Sequence, residues 1–202
     1  MLALGPELSI IRGCMPRRTK LKNRRVPPGF VAPMLCKDVK ELPAPGEWLY
    51  EVKRDGRRAI AIKDGSKVTL LSRDGELLDC PEGGQALKQL PAKRIVIDCE
   101  IVALKGNGSM NGKSREDLRL YAFDLLHVNG RDVMDEPIEK RKERLCSLTL
   151  DSSILFCPSL NCEPDLLVEE VKRLALEAVI AKKKGSTYEP GACNGAWVQL
   201  RV

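Results

Sequence analysis

The sequence predicts a mixed α+β domain dominated by antiparallel hairpins, and three observations lead to this fold class. Short strand-like runs follow one another from Trp48 to Leu78, separated by Asp-Gly turns. A long strand pattern follows at 94–104, with apolar residues at every second position. Two amphipathic segments with helical spacing then lie in the second half of the chain. Strands and helices in this mixed order are typical of the α+β class.

The predicted strands are runs of alternating or β-branched residues bounded by turn residues. They are Trp48–Lys53, Ala59–Lys63, Lys67–Ser72, Arg94–Leu104, Leu118–Val128, Ala178–Lys182 and Ala196–Val202. Turns are predicted at Asp55-Gly56, Asp64-Gly65, Asp74-Gly75, Asn129-Gly130 and Tyr188–Gly191. We expect a flexible loop at Gly106–Gly112, where glycine and asparagine are concentrated.

Three helices are expected between these strands. The first is short and lies near Gly83–Gln89. The second begins at Pro137, which suits a first helical position. The residues that recur in it at helical spacing are Ile138, Lys142, Leu145 and Leu148. The third is predicted over Asp165–Glu177, with Leu167, Val171 and Leu174 on one stripe.

Two strands turn charged residues to the face opposite their apolar side. In the first strand Trp48, Tyr50 and Val52 share one face. Glu51 and Lys53 therefore point together to the other face. In the strand Arg94–Leu104 the alternation likewise turns Asp98 and Glu100 together, away from the isoleucines.

The positive charge of the chain is concentrated at its start. Residues 1–29 carry seven basic residues against one acidic residue, and the net charge of the whole chain is +6. We therefore predict a basic, flexible tail over 1–29 and an electrically neutral domain over 30–202. The tail would either follow a nucleic-acid backbone or serve as a disordered, solubilising leader, and the sequence leaves both open.

Composition excludes several classes of function. The chain has no apolar run long enough to span a membrane, and Gly5, Pro6 and Glu7 interrupt the pattern of a secretory signal. Its eight cysteines form no Cys-x-x-Cys pair, and the single histidine, His127, leaves little for a zinc site or a histidine-based triad. We expect reduced thiols and a cytoplasmic protein that does not associate with membranes.

Lysine, carboxylate and arginine chemistry remains, and Lys53 is the candidate nucleophile. A lysine attacks only when its amine, with an ordinary pKa of about 10.4, is partly deprotonated. Burial and neighbouring cations favour deprotonation of the amine. Arg54, Arg57 and Arg58 supply such cations, which could also hold phosphate oxygens. The alternative is an ordinary hairpin end with solvated charges.

The order of the polar motifs resembles the nucleotidyltransferase domain of ATP-dependent DNA ligases, especially the ligase module of bacterial nonhomologous-end-joining enzymes. The match runs from about Pro33 to the end of the chain. Its motifs are Glu51-Val52-Lys53-Arg54-Asp55-Gly56-Arg57-Arg58, Ser72-Arg73-Asp74-Gly75, Asp98-Cys99-Glu100, Tyr121–Leu126, Glu177–Lys182 and Trp197–Arg201.

The resemblance implies a role for each candidate site residue. Lys53 would attack the α-phosphate of ATP and become a lysyl-adenylate, while Glu51 would recognise the adenine amino group. Arg58, Arg73 and Lys182 would contact the nucleotide or its phosphates. The remaining implied roles are ribose or metal binding by Glu100, adenine stacking by Phe123, metal binding by Glu177, and phosphate contacts by Gln199 and Arg201.

The resemblance also implies the architecture, cofactors and partners. We expect two antiparallel β-sheets flanked by helices, with ATP in the cleft between them and Mg²⁺ or Mn²⁺ as the metal. The substrate would be nicked or broken duplex DNA in repair and recombination, and the protein would associate with the nucleoid. The 202 residues leave no room for the OB-fold domain that usually follows. Such a domain or an end-joining partner would act in trans.

The sequence departs from the family pattern at several positions. Gln199 stands where a phosphate-binding lysine is usual, Arg201 keeps the charge of a second lysine, and Cys99 and Ala178 each replace a glycine. Two alternatives stay open. One is an RNA ligase or capping-type guanylyltransferase, which shares the lysine motif. The other is a degenerate, non-catalytic ligase-like module that binds nucleic acid or ATP.

Overall fold

The computed structural model describes residues 29–104, 109–110, 113–114 and 117–202. Three helices are present in this part of the chain: α1 (Pro81–Gln89), α2 (Ile138–Thr149) and α3 (Pro164–Arg173). The strands are β1 (Lys37–Asp38), β2 (Trp48–Val52), β3 (Arg57–Asp64), β4 (Lys67–Ser72), β5 (Arg94–Leu104), β6 (Ser109–Met110), β7 (Lys113–Ser114), β8 (Asp117–Val128), β9 (Arg131–Asp132), β10 (Leu155–Phe156), β11 (Ala178–Lys183) and β12 (Trp197–Arg201). The predicted α+β class is confirmed.

Two sheets form the body of the domain. The larger has the order β10-β8-β5-β3-β4, with β9 paired to β8, and the smaller has the order β1-β12-β11-β2. The long strands pair antiparallel as predicted, whereas β1 and β10 add short parallel edges. These two-residue edges are too short to leave a periodic signal in the sequence.

Each sheet packs one face against helices and the other toward the second sheet. The larger sheet covers a core with α1 that includes Leu87, Ile97 and Leu125, and the smaller packs Tyr50 and Val179 with α3. A third cluster lies between the sheets, and it contains Met34, Ile60, Val96, Leu126, Ile138, Tyr188 and Trp197. This layered arrangement leaves a cleft where the sheets diverge.

The third helix is shorter than predicted. It ends at Arg173, whereas the sequence pattern extends to Glu177. Ala175 adopts a positive φ of 51°, and the backbone N–H of Leu176 donates to the Val171 carbonyl at 2.9 Å. This left-handed termination is energetically disfavoured for alanine, so only the surrounding contacts select it. As a result Glu177 lies outside the helix, directly before β11.

Other expectations fall partly or wholly outside the described residues. The basic tail over 1–29 lies outside them except for Gly29. Within the predicted loop Gly106–Gly112, Ser109–Met110 is described and pairs with Lys113–Ser114 as a short hairpin. None of the described helices is long and apolar enough to cross a membrane.

Candidate active site

The cleft between the two sheets collects most of the predicted site residues. It has a volume of about 290 Å³. The predicted residues that line it are Glu51, Lys53, Arg58, Arg73, Glu100, Phe123, Lys182 and Gln199. Glu177 contacts Lys53, and Arg201 contacts Glu177, but both lie outside this lining. Residues from β2, β3, β5, β8, β11 and β12 thus meet at one place.

Lys53 lies directly after β2, and the adjacent strand of the smaller sheet fixes its position. Its backbone N–H donates to the Ala178 carbonyl at 2.9 Å. Its Nζ donates to Glu177 Oε2, and Arg201 Nη1 donates to the other carboxylate oxygen of Glu177 at 3.2 Å. The Lys53 side chain remains 25% exposed, so its amine is accessible from the cleft.

Glu51 is buried between two lysines. Its Oε1 accepts from Lys142 Nζ at 2.6 Å, and its Oε2 lies 2.8 Å from Lys182 Nζ. Burial raises the pKa of Glu51, but the two ammonium groups more than offset it and hold that pKa below its usual value. The carboxylate therefore stays ionised deep in the cleft, where it can accept a hydrogen bond from a ligand.

Lys182 and Phe123 form the wall next to Glu51. Lys182 Nζ lies 4.2 Å from the centre of the Trp197 ring and 4.8 Å from that of Phe123. Cation–π contacts of this length hold the lysine against the aromatic surface. Phe123 is only partly buried, so part of its surface faces the cleft. An aromatic face beside a fixed cation suits a nucleobase followed by a phosphate.

Arg58 is held by a buried carboxylate. Its Nε and Nη2 donate to the two oxygens of Asp98, both at 2.6 Å, and Tyr188 Oη donates to Asp98 Oδ2 at 2.6 Å. This bidentate pair raises the pKa of Arg58 further despite the opposing effect of burial. Asp98 is fully buried and does not line the cleft, so its role is to position Arg58.

Glu100 has a different environment from the other carboxylates. Burial raises its pKa to about 7, although Arg58 and Lys53 act in the opposite direction. The loop between β2 and β3 approaches it closely at Gly56. A Cβ at that position would lie 2.3 Å from the Ile101 carbonyl oxygen. A glycine is therefore required for Glu100 and Lys53 to face the same cleft.

Three predicted residues lie nearer the rim. Arg73 is 71% exposed and lies 3.6 Å from Asp74. Gln199 Nε2 donates to Asp38 Oδ1 at 2.7 Å, which ties β12 to β1. Arg201 is 58% exposed and contacts both Asp38 and Glu177. These side chains have room to move toward a ligand.

The structure adds residues that were not among the predicted site set. The additional lining residues are Leu35, Cys36, Val52, Arg54, Cys157, Ile180, Cys193 and Trp197. Lys142 lies behind the cleft and binds Glu51. A signal for Lys142 was present in the sequence, because it shares the apolar stripe of α2 with Ile138 and Leu145. A lysine on such a stripe indicates a buried ion pair.

The carboxylates near Lys53 are candidate metal ligands. No group of three or more His, Cys, Asp or Glu side chains in the described residues could hold a metal ion by itself. Mg²⁺, however, is commonly bound by one or two carboxylates together with substrate phosphates. Glu177 contacts Lys53, Glu100 lies close enough to feel its charge, and both offer carboxylate oxygens of this kind. The donor set therefore fits a metal that arrives with a phosphate ligand.

Comparison with known proteins identifies similar domains. A family model described as the ATP dependent DNA ligase domain matches residues 33–201. The multifunctional non-homologous end joining protein LigD of Pseudomonas aeruginosa is 31% identical, over 92% of this chain and 24% of the relative. A DNA ligase of Natronomonas pharaonis is 30% identical, over 85% of this chain and 35% of the relative. The chain thus spans about a quarter to a third of the curated relatives it matches.

Solved structures show the same architecture. The ligase domain from Mycobacterium tuberculosis LigD superposes with a TM-score of 0.71 at 27% identity, covering 84% of this chain and 58% of that one. A mycobacterial DNA ligase D complexed with ATP and MES superposes with a TM-score of 0.72 at 24% identity, covering 85% and 60%. The second likeness, at that identity, establishes a shared fold.

Proposed function

The chain belongs to the ATP-dependent DNA ligase domain family, and we propose that it transfers the adenylyl group of ATP first to Lys53 and then to a 5′-phosphate at a break in duplex DNA. The observation that carries this proposal is the position of Lys53. Its amine faces a cleft whose lining also includes an ionised carboxylate, several cationic side chains and a partly exposed aromatic ring. The family match also favours this function over a non-catalytic binding module.

In the first step Lys53 Nζ attacks the α-phosphorus of ATP. A P–N bond forms, the bond from that phosphorus to the bridging oxygen of the β-phosphate breaks, and pyrophosphate leaves. The ammonium must give up a proton before it attacks, and Glu177 Oε2 already accepts a hydrogen bond from it. Glu177 is therefore placed to take that proton.

The nucleotide would lie along the wall formed by Phe123 and Lys182. Phe123 would stack on the base, and Glu51 would accept a hydrogen bond from its exocyclic amine. Arg58 and Lys182 would stabilise the charge that develops on the transferred phosphate, since both are fixed before the ligand binds. The cations and donors at the rim, Arg73, Gln199 and Arg201, would reach the outer phosphates.

A divalent metal fits the carboxylates of this cleft. Glu100 and Glu177 would hold Mg²⁺ or Mn²⁺ together with the nucleotide phosphates. When bound, the metal would neutralise negative charge on the phosphates of ATP. The chain's own residues orient the nucleotide and accept the proton from Lys53.

In the second step the lysyl-adenylate would pass AMP to a 5′-phosphate of nicked or broken DNA. The P–N bond to Lys53 would break as a pyrophosphate bond to the DNA end forms. Several relatives are named for non-homologous end joining, and on that basis we place this activity in DNA repair and recombination, at nucleoid DNA in the cytoplasm. Sealing would require an OB-fold domain or an end-joining partner to close over the DNA.

The test is covalent labelling with ATP that is radioactive at the α-phosphate. The purified chain, shown by mass spectrometry to carry no AMP, is incubated with labelled ATP and Mg²⁺, denatured and separated on a gel. We expect label on the native protein and on the exposed control Lys183→Ala, and none on Lys53→Ala. Absence of label on folded, unadenylated native protein, or equal labelling of Lys53→Ala, would contradict the proposal.

A further inference from the structure

Arg54, the residue directly after Lys53, lines the cleft with an unusual guanidinium group. Its Nε and Nη1 are buried, and neither has a hydrogen-bond acceptor in the described residues. The guanidinium stacks on the ring of Tyr121, with 4.7 Å between its central carbon and the ring centre. The stacking fixes the plane of the group but satisfies none of its N–H donors.

Two other arginines of the domain, Arg58 and the fully buried Arg141, differ sharply from Arg54. Arg58 makes a bidentate pair with Asp98, and Arg141 makes one with Asp124. Burying a charged donor without an acceptor is costly, and proteins rarely leave it so. Because Arg54 lines a ligand-sized cleft, a ligand bound there is placed to supply the missing acceptor.

The position of Arg54 indicates which part of a nucleotide it meets. Tyr121 and Phe123 are two residues apart on β8, so their side chains point to the same side of the sheet. The Arg54 guanidinium covers the Tyr121 ring, and the proposed adenine base would cover the Phe123 ring. Arg54 is therefore a neighbour of the base.

Cys157 places Arg54 near Glu51 as well. Burial and Glu51 raise the pKa of the Cys157 thiol, whereas the positive charge of Arg54 is among those that lower it. The carbonyl of Cys157 also accepts a hydrogen bond from Lys142, the lysine that binds Glu51. Arg54, Glu51 and Cys157 thus all belong to the lining of one cleft.

We propose that Arg54 donates a hydrogen bond to a ring nitrogen of adenine while Glu51 accepts one from the exocyclic amine. This assignment rests on the proposed function and adds a base-recognition residue to it. An adenine edge presents the amine next to a ring nitrogen, which is a donor beside an acceptor. A carboxylate and a guanidinium that line one cleft offer the complementary pair.

The same pair explains how guanine would be rejected. Guanine carries a carbonyl oxygen where adenine carries the amine. That oxygen would face the ionised carboxylate of Glu51, and two hydrogen-bond acceptors that face each other repel. At N7 both purines present an acceptor, so discrimination there would rest on Glu51, whereas N1 of guanine carries a hydrogen and would repel Arg54 as well.

The experiment measures ATP binding without chemistry. The unadenylated protein is titrated calorimetrically in EDTA with ATP, 1-deaza-ATP, 3-deaza-ATP and 7-deaza-ATP, each analogue lacking one ring nitrogen. The test variant is Arg54→Met, which keeps an unbranched side chain over Tyr121 but has no N–H donors. The control is Arg94→Met, an exposed arginine paired with Asp64 and outside the cleft lining. Circular dichroism and thermal unfolding check that both variants are folded.

We expect Arg54→Met to weaken ATP binding on the order of tenfold, the cost of one charge-assisted hydrogen bond. One of the three analogues should bind the native protein more weakly by a similar factor. Arg54→Met should no longer distinguish that analogue from ATP, while Arg94→Met should behave like the native protein. Unchanged ATP binding by Arg54→Met, or an equal loss for ATP and every analogue, would overturn the proposal.

Failure of this inference can be told apart from failure of the proposed function. Binding in EDTA requires no adenylyl transfer, whereas the labelling of Lys53 does. Base recognition by Arg54 without any lysyl-adenylate would remove the catalytic proposal and keep the base contact. Lysyl-adenylate formation, with ATP binding unchanged in Arg54→Met, would keep the catalytic proposal and remove the base contact of Arg54.

Discussion

The amine of Lys53 donates a hydrogen bond to the carboxylate of Glu177, a residue 124 positions later in the chain. Strand pairing produces this contact. Val52 pairs with Val179 in the antiparallel register of β2 and β11, and the Lys53 backbone N–H bonds the Ala178 carbonyl. The residues that flank this register, Lys53 and Glu177, therefore meet at the end of the two strands.

Replacing Glu177 by glutamine should slow formation of the lysyl-adenylate by about a hundredfold, the usual contribution of a positioned proton acceptor. The amide can accept a hydrogen bond from Lys53 but cannot take up its proton. Rapid-quench labelling with ATP at saturating concentration measures this step. The fold should be retained, because Glu177 is partly exposed.

A matched control for this change is Glu170→Gln. Glu170 is also a partly exposed glutamate paired with an arginine, Arg173, but it lies on α3 away from the cleft. Its substitution should leave the labelling rate unchanged. Equal rates for Glu177→Gln and Glu170→Gln would show that Glu177 has no part in the transfer.

Lys142 should be essential for stability although it does not line the cleft. Lys142→Met removes one partner of the buried Glu51 carboxylate and should lower the free energy of unfolding by about 3 kcal/mol. Urea denaturation measures the loss. Lys140→Met, an exposed change on the same helix, should alter stability by less than about 0.5 kcal/mol. A similar small effect for both variants would refute the importance of this ion pair.

Glu100 should make stability depend on pH in the range between its two pKa values. Its ordinary pKa is 4.5, and burial raises it to about 7 in the folded protein. Between these values the folded state binds more protons than the unfolded state, so the free energy of unfolding falls as pH rises. Above about pH 7 the contribution is fully lost.

The variant Glu100→Gln cannot titrate and should lack this dependence. Relative to the native protein, it should gain on the order of 2 kcal/mol in unfolding free energy between pH 5 and pH 8. Urea denaturation at several pH values gives the difference directly. A difference that does not vary with pH would mean that Glu100 has an ordinary pKa.

Gln199→Lys should accelerate adenylyl transfer. The family pattern has a lysine at this position, and a charged donor binds phosphate more strongly than an amide does. Asp38, which now accepts from Gln199 at 2.7 Å, would hold the new ammonium at the rim of the cleft. We expect about a tenfold increase in kcat/KM for lysyl-adenylate formation. Gln199→Met, which removes the donor, should lower kcat/KM. An increase in kcat/KM for both variants would exclude a charge effect.

Much of the fold was predictable because its signals are local. The alternation in β2, β5 and β8 and the Asp-Gly and Asn-Gly turns depend on neighbouring residues alone. The bounds of β5 and β4 match the prediction residue for residue. The error at the end of α3 arose because tertiary contacts impose a positive φ on Ala175, which a propensity pattern does not contain.

The partners of the site residues were less predictable. The sequence brings Glu51, Lys53 and Glu100 to the polar faces of their strands, but it does not show what neutralises them. Lys142 reaches Glu51 across 91 positions, and Tyr188 reaches Asp98 across 90. Such pairings depend on how a helix and a turn pack on a sheet.

By itself the sequence determined the class of fold, the succession of strands along the chain and the residue types that the chemistry requires. Periodicity and turn chemistry act over only a few residues. The tertiary structure alone decided which charges are paired and which are free. It gave Glu51 two lysines, gave Arg58 a carboxylate and left Nε and Nη1 of Arg54 without an acceptor in the described residues. The physical reason is that desolvation and charge pairing depend on distances through space, which sequence separation does not fix.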